Sequence, residues 1–321
     1  MKKFLHTKWS RCMLAICAVL LTHSSFAQVG LFNKAELGLT IAPNNFLGDL
    51  GGNVGKGTGF LKDNNFSQTR VFIGAHLTVY PAEWLGFRLQ GNYGSIAGDD
   101  AIITGKGGYE EARKVRNSNF KSKIAELFLA AEVYPTVFLE EDPSDLYHKL
   151  RPYGLIGVGV FHFNPQGTDP TNGGWVNLQP LSTEGQGFAQ YPDRQPYKLT
   201  QMNIPMGVGI KYFASDVVSI SLEIIHRKTF TDYIDDVSTD YIDPALFQQN
   251  FGAGSQKANL ATRMANKSVG TPSIPTYVAG DKRGTPTNKD AYYSAGFKLS
   301  FILGGGDRAY RNSTRCPTLR Y

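Results

Sequence analysis

The sequence predicts an all-β fold, an eight-stranded antiparallel transmembrane β-barrel with short periplasmic turns and long extracellular loops. Three observations predict it: an N-terminal export signal, segments of strand length in which apolar and polar residues alternate, and connections that are alternately short and long. After residue 28 there is no apolar run of 18 or more residues, which excludes a bundle of membrane-spanning helices. The expected location is the cell outer membrane. The competing class is a soluble β-sandwich.

Residues 1–27 are predicted to be an export signal peptide. Its cationic start comprises Lys2, Lys3, Lys8 and Arg11. The apolar core, 13–21, is too short to span a bilayer, which takes about 20 residues in a helix. Small residues at Ser25 and Ala27 then predict cleavage after Ala27. Cleavage would leave residues 28–303 as the barrel and 304–321 as a basic periplasmic tail.

The net positive charge of the chain comes mainly from this signal. The full chain carries 33 Lys and Arg against 27 Asp and Glu, and four of the basic residues but none of the acidic ones lie in the signal. The small remaining excess gives no argument for nucleic-acid binding. Cys12 and Cys17 leave with the signal, so Cys316 remains alone and no intramolecular disulfide can form.

Eight segments are predicted to be strands. They are 31–41, 70–80, 85–94, 123–134, 153–163, 198–212, 217–229 and 292–303. In the seventh, for example, Val218 and Ile220 alternate with Ser219 and Ser221. The apolar face is expected to meet lipid and the polar face to line the lumen. Segment 153–163 is apolar on both faces, so its orientation stays open.

The connections favour a barrel over a sandwich, because a sandwich also shows alternation. One end has Pro81–Trp84, 135–150 and Ala214–Asp216, and the other has about 43–69, 95–119, 165–197 and 230–290. Short turns at one rim and long polar loops at the other are typical of outer-membrane barrels. Aromatic residues near both rims are predicted to form interfacial girdles. These are Tyr80, Trp84, Tyr134, Tyr153, Tyr212 and Phe213 near the short turns, and Phe120, Phe163, Tyr197 and Phe230 near the long loops.

A charge-balanced lumen follows from the same alternation. The polar faces carry Glu36, Glu126, Glu132 and Glu223 together with Arg88, Arg227, Lys211 and Lys298, and their neutral partners would be Gln90, Asn92, Gln201 and Asn203. The lumen of eight strands is filled by its own side chains, so these charges must pair. We expect the pairs Glu36–Lys298 and Arg88–Glu132. A closed plug is favoured over a channel, which would need more strands and an unbalanced charge ring.

No catalytic residues, cofactor or metal ligands are predicted. The exported chain has His76, His148, His162 and His226, and none has the spacing of a Ser/His/acid site. Alternation directs His76 into the lumen and His226 toward lipid or the outer interface. No Cys and His spacing suits a metal, and a small-molecule substrate is not indicated. We therefore expect a protein that is not an enzyme.

The acidic segment 229–243 allows two interpretations. Its carboxylates are Asp232, Asp235, Asp236, Asp240 and Asp243. Spaced in this way on an extracellular loop they could hold Ca²⁺, although the spacing is not that of an EF-hand. A hydrogen-bonded loop base is the favoured alternative. The remainder of this loop, 249–290, is rich in Gly, Ser, Thr, Pro, Asn and Lys, and this composition predicts mobility.

Several segments together resemble a known family. They are NNFLGDLGG (44–52), NYGSIAGDD (92–100), RNSNFKSKIAELFLAAEVYP (116–135), RPYGLIGVGVFHFNP (151–165), IPMGVGIKY (204–212), RKTFTDYIDDVSTDYIDP (227–244) and KRGTPTNKDAYYSAGFKLSF (282–301). They resemble, in order and over nearly the whole exported chain, a Bacteroidota family of outer-membrane barrels that includes the type IX secretion component PorG. The resemblance implies the barrel fold and a non-enzymatic role in protein transport, in which the barrel anchors a periplasmic ring of the secretion machine.

The resemblance also implies where partners would bind, besides the lipid of the outer membrane. Periplasmic secretion proteins would meet the segment 135–150 and the tail 304–321. The candidate docking residues of the tail are Arg308, Arg311, Arg315, Cys316 and Arg320. The chain departs from the family in its long loop 230–290 and in continuing past its last strand. A stand-alone structural or surface-binding barrel that uses its extracellular loops is the alternative function.

Overall fold

The computed structural model describes residues 34–51, 66–103, 110–139, 146–268 and 277–303. The strands are β1 Lys34–Leu47, β2 Arg70–Ala82, β3 Leu85–Asp99, β4 Asn119–Val133, β5 Leu150–His162, β6 Pro165–Thr168, β7 Trp175–Asn177, β8 Thr200–Phe213, β9 Val218–Thr229 and β10 Ala291–Leu303. The α-helices are α1 Glu110–Arg116, α2 Leu146–Lys149, α3 Ala245–Phe251 and α4 Gln256–Ala265. Single 3-10 turns occur at Phe66–Gln68, Asp100–Ile102, Pro135–Leu139 and Gln179–Leu181. None of the helices in these ranges is long and apolar enough to cross a membrane. The predicted signal and tail lie outside the described residues.

The eight long strands form one closed antiparallel barrel. Their order is β3-β2-β1-β10-β9-β8-β5-β4, and β4 pairs with β3 to complete the ring. The first and last strands are neighbours, with Leu39 opposite Leu299. Closure leaves the wall without a free strand edge, as a bilayer requires. The predicted eight-stranded antiparallel barrel is therefore confirmed. The short strands β6 and β7 extend the sheet from the outer end of β4.

The outer surface of the wall is apolar and exposed. Its large side chains include Leu37, Leu39, Ile41, Ile73, Leu89, Leu127, Leu129, Val208, Ile210, Leu222, Ile224, Phe297 and Phe301. A contiguous apolar surface of this extent is foreign to soluble monomers and matches the lipid-facing band of an outer-membrane barrel. The chain is accordingly an outer-membrane barrel and not a soluble sandwich. The open orientation of β5 is also settled, because Tyr153 and Phe161 are buried whereas Ile156 and Val158 are exposed.

The two ends of the barrel differ as the connection lengths predict. The turns β2–β3 and β8–β9 take only 83–84 and 214–217, and α2 lies between β4 and β5 on the same side. At the other end the described parts of the long loops fold into one body, which we call the outer cap: 48–51, 100–103, 110–118, 163–199, 230–268 and 277–290. It contains β6, β7, α1, α3 and α4. A hydrophobic core of its own comprises Leu178, Leu181, Phe188, Ile242, Phe247, Ala261, Met264 and Ala265.

The predicted mobility of 249–290 is wrong for much of that segment. Helix α4 begins after Ser255, whose side chain accepts a hydrogen bond from the backbone N–H of Ala258 at 3.1 Å. Ala258, Ala261 and Ala265 follow at spacings of three and four residues and are buried. The composition misled because small alanines, together with Met264, provide the apolar face of this helix.

The predicted aromatic girdles are only partly correct. Trp84 and Tyr212 at the periplasmic rim and Phe230 at the outer rim are exposed, as girdle residues should be. Six of the predicted girdle residues have a different place. Tyr80 takes part in hydrogen bonds inside the lumen. The other five are buried, namely Tyr134, Tyr153, Phe120, Phe163 and Tyr197. Proximity to a rim does not determine which face of the strand a residue occupies, and these residues are on the inner side.

Candidate functional site

The lumen contains a four-residue cluster, the lower charge cluster, made of Arg88, Lys298, Glu132 and Glu223. Arg88 Nε donates to Glu132, and Arg88 Nη1 donates to Glu223 Oε2 at 2.8 Å. Lys298 Nζ lies 3.6 Å from an oxygen of each carboxylate. All four side chains are almost completely buried. The predicted Arg88–Glu132 contact thus forms, and it is shared with a second acid and a second base.

Tyr153 completes the lower charge cluster from β5. Its hydroxyl donates to Glu223 Oε2 at 2.6 Å, and Arg88 Nη2 donates to that hydroxyl at 3.3 Å. Gly209 on β8 makes room for the ring, because a Cβ there would come within 2.5 Å of Tyr153 Cζ. A glycine on the lumen face of β8 therefore positions an aromatic ring of the neighbouring strand.

A second ion pair lies closer to the periplasmic end. Lys211 Nζ is 2.7 Å from Glu36 Oε2 and also donates to the hydroxyl of Tyr80. The predicted pair Glu36–Lys298 is therefore wrong. In the ladder between β1 and β10, Glu36 lies opposite Ile302, and Lys298 lies opposite Thr40. Four residues along a strand are about 13 Å, so Lys298 is too far up the wall for Glu36.

The upper charge cluster surrounds Glu126. Its carboxylate accepts from Asn92 Nδ2 at 2.7 Å, from Asn203 Nδ2 at 2.7 Å and from the Tyr292 hydroxyl at 2.9 Å. Arg227 Nε supplies the cation at 3.3 Å. Glu126 therefore has a full set of donors, which a buried carboxylate needs.

The two clusters are joined into one hydrogen-bonded chain along the barrel axis. Arg88 Nη1 donates to Gln90 Oε1 at 3.0 Å, and Gln90 Nε2 donates to Asn92 Oδ1 at 2.8 Å. Downward, Tyr134 donates to Glu132 and lies 3.4 Å from the Tyr80 hydroxyl. Gln201, predicted as a lumen partner, instead donates to the backbone oxygen of Lys198. All eight long strands contribute a side chain to this chain of contacts, which rigidifies the lumen.

The tyrosines are the lumen residues that the sequence reasoning missed. Tyr134, directly after β4, has the same parity as Glu132, and Tyr292 has the same parity on β10 as Lys298. Parity could therefore have identified both of them. Tyr153 could not be found in this way, because the segment containing it is apolar on both faces.

Above the upper charge cluster the lumen is closed by a hydrophobic cluster, the mouth seal. It comprises Ala42, Phe46, Leu50, Phe72, Ile96, Phe120, Ile124, Phe161, Phe163, Tyr197, Ile234, Val237 and Tyr292. Phe46 and Phe120 meet edge to face, with ring centroids 4.8 Å apart. Ile234 and Val237 come from the acidic segment of the β9–β10 loop. A segment of the cap therefore closes the outer mouth with apolar side chains.

Two buried arginines tie the loops of the cap together. Arg116 donates to both carboxylate oxygens of Asp100, at 2.7 and 2.9 Å, and to the backbone oxygen of Arg283 at 2.8 Å. Arg283 donates to Glu184 Oε1 at 2.7 Å and lies 3.7 Å from Asp236 Oδ2. These contacts connect the loops β3–β4, β5–β8 and β9–β10. The cap is thus cross-linked by charge-assisted hydrogen bonds.

The acidic segment serves this loop packing, as the favoured interpretation expected. Asp235 accepts from the backbone N–H groups of Leu50 and Val237, and Asp232 accepts from Ser238 Oγ. The other three carboxylates have different partners. Asp236 contacts Tyr197 and Arg283, and Asp240 contacts Arg194. Asp243 accepts from the backbone N–H of Ala245. Within the described ranges no three His, Cys, Asp or Glu side chains are grouped so as to hold a metal ion. The five carboxylates of the segment thus bind protein groups of the cap, and Ca²⁺ binding stays a prediction.

Several of these cap carboxylates have raised pKa values. Burial raises the pKa of Asp232 to about 7, and it raises that of Asp236 to about 6 although Arg283 lowers it. Burial also raises the pKa values of Asp235 and Asp290, and neighbouring carboxylates add to both shifts. A carboxyl group whose pKa is higher in the folded protein stabilises the fold below the pKa of the unfolded chain, and this contribution is lost as the pH rises through the folded value.

We therefore expect the cap to open more easily at pH 8 than at pH 5. Hydrogen exchange should report it at the amides of Leu50, Ile234 and Val237, which donate to Asp235 or Asp290. Their protection factors, corrected for intrinsic exchange, should fall from pH 5 to pH 8, while amides of β3 and β4 hold constant. The variant Asp232→Asn should weaken the dependence. Protection that is constant or higher at pH 8 would contradict the expectation.

The described histidines occupy different environments. His76 lies in the lumen, as predicted, with Nε2 3.0 Å from Ser300 Oγ and Nδ1 3.4 Å from Thr40 Oγ1. His162 is exposed on β5 beside Thr200, and His226 lies on the lipid-facing side of β9. The side chain of His148 lies outside the described part. So do the tail residues predicted to dock a partner, namely Arg308, Arg311, Arg315, Cys316 and Arg320.

Among known proteins, the chain shows similarity only to solved structures. No protein-family model matches the chain, and no curated protein matches it. It is similar to the attachment invasion locus protein Ail of Yersinia pestis in complex with the heparin analogue sucrose octasulfate, with 5% identity, 84% of this chain and 98% of that chain covered, and a TM-score of 0.37. It is also similar to a major outer membrane protein of Thermus thermophilus, with 12% identity, 84% of this chain and 99% of that chain covered, and a TM-score of 0.36. A third similar structure is the N-terminal β-barrel domain of Pseudomonas aeruginosa OprF, with 10% identity, 85% of this chain and 98% of that chain covered, and a TM-score of 0.30. Likeness at this level says nothing about function, and the barrel is established by this chain's own strand pairing.

Proposed function

We propose that the chain is a non-enzymatic structural barrel of the outer membrane, closed along its lumen, whose partners bind at its two ends. The observation that carries this proposal is the set of four carboxylates and four cations that fill the lumen beneath the mouth seal. A selective pore needs a continuous water path and an unbalanced ring of charge. Paired charges below an apolar closure favour a scaffold instead.

Electrical recording tests the closed lumen. The refolded full chain should give no stepwise conductance in a planar bilayer at neutral pH. Folding of the same sample is checked by its migration in gels, which should differ with and without boiling. Regular conductance steps from heat-modifiable protein would overturn the proposal. Identical migration before and after boiling would count against the barrel itself.

At the finer level, we propose that the periplasmic end anchors a complex of the type IX secretion system. The resemblance to the family that includes PorG supports this, and so does the surface of the segment predicted to dock. Phe138, Leu139 and Leu146 all have more than half of their surface exposed there. Exposed apolar side chains at one end of a scaffold are surface that a partner protein would cover.

Paired substitutions test the anchor in cells that contain the secretion system. The double variant Phe138→Ser, Leu139→Ser should lose co-purification of a periplasmic secretion protein and reduce secretion. Val278→Ser, at an exposed position of the cap, is the matched control. Cross-linking from Cys316 should capture the same partner. Unchanged co-purification in the double variant, with only lipid recovered at Cys316, would refute the anchor.

The alternative function, binding at the cell surface, is favoured by the outer cap. Its own hydrophobic core and its arginine cross-links give the extracellular end a defined shape that a ligand could recognise. Deletion of 249–281 removes α4 and part of that core. This deletion should abolish surface binding and leave secretion intact if the cap carries the function. Function that survives the deletion would be assigned to the periplasmic end.

A further inference from the structure

Cationic side chains occur on the lipid-facing side of the wall, at the outer ends of neighbouring strands. Lys121 and Lys123 lie on β4, Lys198 lies just before β8, and Lys228 lies near the end of β9. Their parity is that of the lipid-facing residues Leu127, Met202 and Ile224. In the ring, β4, β5, β8 and β9 are consecutive neighbours, so these lysines share about half of the circumference. We call them the lysine arc.

The charge of this half is of one sign. All lipid-facing positions of β4, β5, β8 and β9 are described, and none of them is Asp or Glu. His162 and His226 lie among the lysines at the same outer ends. On the other half, Tyr93 and Ser95 of β3 and Ile41 of β1 are neutral, whereas Asp99 of β3 is acidic and Lys289, just before β10, is a further exposed lysine. The lysine arc is therefore the part of the described wall in which several lipid-facing lysines occur with no acidic residue on the lipid-facing side of the same strands.

The lysine arc lies at the depth of the outer-leaflet headgroups. Ten residues of β4 separate Val133, at the periplasmic turn, from Lys123, which corresponds to about 25 Å along the barrel axis for strands tilted by about 40°. That is the height of the apolar band of such barrels. Two exposed aromatic residues mark the same level. Trp175 lies over Lys121, with Nζ 3.8 Å from the ring centroid, and Phe230 follows Lys228 by two residues.

We propose that the lysine arc binds the phosphate groups of a phosphorylated glycolipid of the lipid A type in the outer leaflet. Lysine ammonium groups are strongly hydrated point charges that bind phosphate oxygens without requiring one geometry. Four of them along one arc match a ligand that carries more than one phosphate on a sugar headgroup. The acyl chains of the same ligand would lie against the exposed apolar side chains below the arc, such as Leu127, Val158 and Met202. The same side of the wall thus offers charged contacts for the headgroup and apolar contacts for the acyl chains.

Lipid binding by the purified full chain tests the proposal. Native mass spectrometry would measure retention of diphosphorylated lipid A, dephosphorylated lipid A, phosphatidylglycerol and phosphatidylethanolamine. The arc variant is Lys121→Gln, Lys123→Gln, Lys198→Gln, Lys228→Gln. The matched control, called the cap variant, replaces by Gln the three exposed cap lysines Lys114, Lys257 and Lys282 and the exposed Lys149 at the periplasmic end. Both variants lose the same charge, and folding of each is checked by heat-modifiable migration.

The wild type and the cap variant should retain diphosphorylated lipid A about equally, and the arc variant should bind it 100-fold or more weakly. Each lysine near a charged lipid surface is expected to contribute about fivefold, which is about 1 kcal/mol. Removal of the phosphates from the lipid should weaken binding to the wild type to a similar extent, and this arm needs no mutation. Equal binding by the arc and cap variants would overturn the proposal. Equal binding of phosphatidylglycerol and lipid A by the wild type would also overturn it.

Discussion

Replacement of Glu132 by glutamine is expected to lower the free energy of unfolding of the barrel by about 3–5 kcal/mol. Glutamine keeps the size of the side chain and removes its charge. Arg88 and Lys298, which are both completely buried, then have only Glu223 to balance them. An unbalanced buried cation is far more costly than the ion pair was favourable, because it has lost its water without full compensation.

An ion pair at the same end of the barrel, whose acid is about half exposed, provides the control for this prediction. Glu83 is about half exposed and lies 3.7 Å from Arg151, so Glu83→Gln should change stability by less than about 1 kcal/mol. Urea unfolding in lipid vesicles, followed by tryptophan fluorescence and by gel migration, would measure both variants. Adding Lys298→Met to Glu132→Gln should restore part of the loss, since it removes the surplus cation. If Glu132→Gln and Glu83→Gln destabilise equally, the lower charge cluster does not have the role assigned to it.

The positions of the lumen charges could be predicted from the sequence, but their choice of partner could not. Period-two alternation decides which face of a strand a residue occupies, and all eight predicted charges are buried inside the barrel. Pairing also depends on register. Gly86 lies opposite Glu132 in the ladder, so Arg88 is diagonal to Glu132 and within reach. Glu36 instead finds Lys211 of β8 across the lumen. A contact of this kind depends on strand tilt and shear, which local patterning does not contain.

The outer cap is the part of the fold that could not be predicted. Loops β5–β8 and β9–β10 contain short apolar stretches that look insufficient to form a core when each is read alone. Together they bury Phe188, Phe247 and Met264 against one another. The aromatic residues Phe163 and Tyr197 look like girdle residues by position and lie instead in the mouth seal. In both cases contacts between distant parts of the chain decide the structure, and only the fold brings them together.

Replacement of Arg283 by methionine is expected to open the outer cap while the barrel stays folded. Arg283 is the cation beside Glu184 and Asp236, and all three side chains are almost completely buried. Methionine fills much of the same volume but leaves two acidic groups without their cation, at a cost of about 3–5 kcal/mol. This cost should be smaller at pH 5 than at pH 8, because burial already raises the pKa of Asp236 to about 6 and a proton can replace the lost cation.

Hydrogen exchange separates opening of the cap from loss of the barrel. The amides of Ser238 and Thr239 donate to the Glu184 carboxylate, and their protection should fall about 100-fold to 5,000-fold in Arg283→Met. Amides of β3 and β4 should keep their protection. Arg70→Met, at an exposed position whose side chain donates to Gln68 at 3.4 Å, should change neither set. Equal loss in cap and wall would mean that the two unfold as one unit. Because the mouth seal includes Ile234 and Val237 of the same loop, a cap that opens alone would uncover the lumen, and water would reach the upper charge cluster before any strand separates.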